Sequence, residues 1–102
     1  MLGDELSTQT AFFSMPDYAD YEVIGDSIKV AYLSHSKVKD SLSMLWSAVM
    51  AGRNVILEYK DPKNNGVTRS RHVTDVIIAI QGTAIMDRAW VLMTIMCASE
   101  PG

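Results

Sequence analysis

Six cations fall in the second half of this chain: Arg53, Lys60, Lys63, Arg69, Arg71 and Arg88. Arg69 and Arg71 are two residues apart in the run 67–74. If that run is a strand, both side chains leave the same face. A guanidinium forks onto phosphate or carboxylate oxygens and stacks on a base. Tyr59 and His72 add ring faces, the usual platform for an unpaired base. Tyr59, Arg69, Arg71, His72 and Arg88 are therefore the candidate contacts for an anionic ligand, a nucleotide or a single-stranded nucleic acid. The plainer account is a solvated basic face balanced by Glu58, Asp61 and Asp75.

Catalytic constellations are not visible. There is no Gly-x-Ser-x-Gly elbow, and neither His35 nor His72 comes with an orienting acid at a recognisable spacing. Cys97 lies in a strongly apolar run, which should raise its pKa and leave it inert. No Gly-Lys-Ser/Thr phosphate loop occurs. One cysteine and two histidines without ligand spacing give no metal site, and no cofactor is implied. The expectation is a binding protein, not an enzyme.

The elements that would hold these cations can be read from periodicity. Val38, Leu42, Leu45, Trp46 and Val49 form one helical stripe, Ser34 and Ser36 offer N-caps, and Gly52 stands where a left-handed C-terminal residue belongs. The pattern predicts a helix over about 37–51 and a sheet over about 53–97. Residues 53–60 are the first strand, 61–66 the turn, and 67–74 the returning strand. Thr68, Ser70 and His72 should share one face of the latter, and Arg69, Arg71 and Val73 the other. A kink or bulge is expected at Asp75, a short buried strand at 76–80 and a turn at Gln81-Gly82. The run 89–97, apolar on both faces, should be a central or interface strand. Upstream, Gly25-Asp26 divides 22–24 from 27–33, where Ile28, Val30 and Tyr32 alternate with Lys29 and Ala31.

With 102 residues, one domain is expected. The net charge of −3 is unevenly placed: residues 1–26 hold six acids and no base, residues 27–102 nine bases and six acids. Residues 1–20 read as an acidic leader, partly ordered, with Phe12 and Phe13 as anchors, and 21–102 as a single α+β domain. Apolar residues make up 48% and Met is frequent, which makes self-association plausible. The lone cysteine and the acidic first residues point to a reducing compartment without secretion, the cytoplasm or a host cytoplasm if the protein is viral. No run is long enough to span a membrane.

The order of residues over 45–97 resembles the WYL domain, an Sm/SH3-like ligand-sensing module. The matching features are a helix ending in Gly52-Arg53, a strand ending in Tyr59, a Gly66-containing hairpin with Thr68, Arg69 and Arg71, the apolar strand 76–80, and Trp90-Val91-Leu92 for the naming tripeptide. Val91 stands where the family has Tyr, Asp75 where a Pro is expected, and the family's later arginine-and-phenylalanine strand is missing. Strand 27–33 could fill that edge. The resemblance implies a small antiparallel barrel or curved sheet with one amphipathic helix. It also implies regulatory binding of a nucleotide or single strand, with Tyr59, Arg69 and Arg71 as contacts and Arg71→Ala weakening binding while the fold survives. The other reading, from residues alone, is a protein-interaction module. A phage-type inhibitor or an assembly subunit would be of this kind, docking through its acidic leader or an apolar sheet face, with a homodimer among its forms.

Overall fold

The computed structural model describes residues 9–85 and 88–99, with backbone pairing alone for 81–85 and Arg88. Among the described residues, one helix lies on a six-stranded mixed sheet of order β1-β4-β5-β6-β3-β2. The elements are β1 (Ala11–Ser14), β2 (Tyr21–Ile24), β3 (Ser27–Leu33), α1 (Lys37–Met50), β4 (Val55–Asp61), β5 (Val67–Ile85) and β6 (Arg88–Cys97). Among the described residues, no helix is long and apolar enough to cross a membrane.

Local sequence explains most boundaries. Gly25, at φ +57°, turns β2 into β3. Helix α1 ends in a reciprocal pair of backbone bonds, Gly52 N–H to Val49 O and Arg53 N–H to Ala48 O, with Gly52 at φ +77°. Val38, Leu42, Leu45 and Ala48 of α1 are buried against the sheet. Trp46, read as part of that stripe, is instead 39% exposed. It sits at the stripe's margin, and the small Ala48 takes the sheet-facing position.

The strand after the helix and the 61–66 turn form where expected, with a short 3₁₀ turn over Pro62–Asn64. β6 is central, paired with β5 on one side and β3 on the other. Two expectations on β5 are corrected. The strand does not break at Gln81-Gly82. It continues to Ile85, because β6 pairs with it as far as Ile85↔Arg88, and the glycine falls in a register irregularity between Gln81 and Ile85. Nor is 76–80 buried: Val76 is, but Ile77, Ile78 and Ile80 are 53%, 43% and 72% exposed. The bulge expected near Asp75 is present, since Val73 faces Cys97 and Asp75 faces Met96. The extra residue lets Val73 and Val76 both enter the core and keeps the Asp75 carboxylate outside.

The sheet is not purely antiparallel. β1 pairs with β4 in parallel, from Ala11↔Val55 to Ser14↔Glu58. Residues 11–19, read with the acidic leader, thus supply an edge strand and the buried Ala11, Met15 and Ala19. Phe13 packs on the core while Phe12 faces solvent. Residues 1–8 lie outside the described residues. The sheet curves without closing into a barrel. A side chain links β2 to β4 across the curve: the Tyr21 hydroxyl donates to Lys60 O (2.6 Å) and accepts from Lys60 N–H (3.0 Å).

Candidate functional site

Strands β4 and β5 place Tyr59 opposite Arg69 and Leu57 opposite Arg71. The two arginines share a face, as the i, i+2 spacing requires. That face turns inward. With Tyr59, Asp61, Val23, Gly25 and Asp26 they line a cavity of about 210 Å³ between the β4–β5 hairpin and the β2–β3 turn.

Arg71 is not on an exposed surface; it is 7% exposed. Its Nη1 donates to Gly25 O (2.9 Å), Nη2 to Asp26 Oδ1 (2.5 Å), and Nε and Nη2 to Ala98 O (3.1 and 2.5 Å). Desolvation opposes the guanidinium charge, but hydrogen bonds with Asp26 and Tyr59 outweigh it and raise the pKa. Ser99 Oγ completes the cluster by donating to Asp26 Oδ2 (2.8 Å). Bonded to Arg71 and Ser99, the Asp26 carboxyl is held below its ordinary value of 3.8. Arg71 therefore ties three distant segments together: the β2–β3 turn, the hairpin strand β5 and the residues after β6.

Arg69 is half-buried, with Nε 3.4 Å from Asp61 Oδ2. Asp61 also caps the following turn by accepting from Lys63 N–H (3.0 Å). Tyr59 is buried. The cavity holds two guanidiniums and two carboxylates, so it is formally neutral. An anion entering it would have to compete with Asp61 for Arg69, and with Asp26 and two carbonyls for Arg71.

His72 points to the opposite face of β5 and is exposed. Arg88 opens β6 opposite Ile85, at the far end of β5 from Arg71; its side chain lies outside the described residues. Of the five residues singled out from sequence, the cavity gathers Tyr59, Arg69 and Arg71. Sequence reading counted Asp61 among the balancing acids. It missed Asp26, which is 45 residues from Arg71 and is joined to it only by tertiary folding.

A second surface lies on the outer face of the sheet. Registers Ala79↔Leu92, Gln81↔Trp90 and Ala31↔Leu92 set Ile77, Ala79, Trp90, Leu92 and Ala31 on one side. Ile77 and Trp90 are each more than half exposed. Next to this patch is a shallow hollow whose rim carries Asp20, Glu22 and Lys29. Cys97, on the inner face, is buried, and desolvation raises its thiol pKa above the ordinary 9.0. No family model, curated protein or solved structure matches the chain.

Proposed function

We propose that this chain is a protein-interaction module that docks through the apolar outer face of its β5–β6–β3 sheet. The observation that carries this reading is the patch of Ile77, Trp90 and Leu92 beside a charged rim. A contiguous apolar patch rimmed by polar residues marks an interaction surface, whereas single exposed apolar side chains do not. The interaction is tested by capturing proteins from the producing cell with the purified chain and with Trp90→Ser and Ile77→Lys. A partner retained by the wild type and lost with both variants is expected. Equal retention by all three would refute docking at this face.

A second reading has its own support: Tyr59, Arg69 and Arg71 line one cavity. It is a regulatory domain, resembling WYL modules, that binds a nucleotide or single-stranded nucleic acid. Arg69, half-buried at the cavity beside Asp61, is the residue to vary, since removing Arg71 disturbs the fold. Titration of labelled oligonucleotides at two salt concentrations should show affinity that falls with salt and with Arg69→Ala. Affinity unchanged by either would remove this reading.

A further inference from the structure

β5 has neighbours on both sides for only part of its length. The β4 ladder ends at Ile56↔His72, whereas the β6 ladder runs on to Ile85↔Arg88. Beyond the bulge, among the described residues, the β5 edge away from β6 has no strand beside it. About every second residue there aims its N–H and C=O off the sheet. The segment 76–86, Val-Ile-Ile-Ala-Ile-Gln-Gly-Thr-Ala-Ile-Met, contains no charge and no proline. Ile77 on one face and Ile78 and Ile80 on the other are exposed.

Edges are normally blunted by shortness, charge or proline. The two terminal strands follow this rule: β1 and β2 have four residues each, and β2 carries the exposed Glu22. The β5 edge is long and carries neither charge nor proline over 76–85, and its two register irregularities lie at Val73/Asp75 and Gln81/Ile85, on either side of 76–80.

We infer that this edge pairs with the same edge of a second copy, antiparallel, about a two-fold axis perpendicular to the sheet. Charge selects both occupant and direction. A segment without charge meets no like charge when it faces itself. In an antiparallel pair centred near Ile80, the two Asp75 carboxylates stand about ten residues apart, roughly 30 Å along the strands. A parallel pair would set them side by side. The perpendicular two-fold also keeps both outer faces on one side, so the patches of Ile77, Trp90 and Leu92 become one continuous surface. The pairing rests on the interaction-module reading and specifies its first partner. It stops at two copies, because among the described residues each chain has one such edge and the pair consumes both.

The test is the solution mass of the full chain by sedimentation equilibrium over a wide concentration range. Twice 11.3 kDa is expected, falling to a single chain with Ile80→Lys at unchanged far-ultraviolet circular dichroism, while the control Ile24→Lys on β2 stays paired. Ile80→Cys, which keeps the site apolar, should cross-link between copies under mild oxidation; Cys97 is buried and does not compete. A wild type of single-chain mass, a pair that survives Ile80→Lys, assemblies larger than two, or no cross-link would overturn the pairing. Should the chain be single yet still capture a partner that Trp90→Ser loses, docking through the outer face stands and the pairing alone falls.

Discussion

Replacing Arg71 with Ala tests whether this residue serves a ligand or the fold. Its guanidinium makes four hydrogen bonds to Gly25 O, Ala98 O and Asp26. A bond from a charged donor contributes about 1.5–3 kcal/mol net. The Asp26 side chain is half exposed, so its share is discounted for solvent screening. Gly25 and Ala98 lie at the surface, so water can reach the carbonyls that lose their donor. The bonds to those two carbonyls then give a loss of about 2–4 kcal/mol. That is a large part of the stability of an ordinary domain. At about 4–8 °C per kcal/mol for a chain of this size, the midpoint should fall by about 8–32 °C in thermal denaturation followed by circular dichroism. Arg71→Lys should recover only part, since one ammonium cannot reach acceptors on both the β2–β3 turn and residue 98. The injury should also be local. The amides of Cys97, bonded to Asp26 O, and Ala98, bonded to His72 O, should lose hydrogen-exchange protection more than those of α1. A variant that melts within about 2 °C of wild type, with those amides still protected, would refute the structural role and return Arg71 to the list of available ligand contacts.

The Asp26 carboxyl has a lowered pKa because it is bonded to Arg71 and Ser99. Its contribution is therefore complete above the ordinary carboxylate value and is lost as pH falls through the lowered one. Acid unfolding should become shallower in Asp26→Asn, and an unchanged acid limb would contradict the assignment. Gly52 holds φ +77° at the end of α1, so Gly52→Ala should cost about 1 kcal/mol in urea denaturation, with no change in strand content. Cys97 is buried and its thiol pKa raised. It should resist iodoacetamide at pH 8 in the folded chain and react promptly in urea; fast native labelling would place it at the surface.

Elements with local signatures were legible. The 3.6-residue stripe over 38–49, the left-handed glycine after it, the Gly25-Asp26 and 61–66 turns and the alternation in 27–33 all have causes within a few residues. The helix and the two hairpins formed where those causes lie. Errors arose where a neighbour decides. An apolar run such as 76–80 carries no signal for whether another element covers it. A glycine at 82 marks a bulge or a turn equally well, and only the length of β6 distinguishes them. The polar spacing of 1–20 hid β1, because a four-residue parallel strand depends on the open edge of β4.

The same division holds for the candidate site. Sequence by itself determined that Arg69 and Arg71 share a face, because strand geometry has period two, and that Cys97 belongs to the core, because its neighbours are apolar. It could not determine that their face is the inner one. Nor could it show that Arg71 is consumed by Gly25, Asp26 and Ala98, which are brought to it from 46, 45 and 27 residues away. Those bonds exist only once β3 has paired with β6 and β6 with β5. The tertiary structure alone decided that the arginine pair forms a neutral, internally bonded cluster, and that Ile77 and Trp90 on the outer face of the sheet stand exposed.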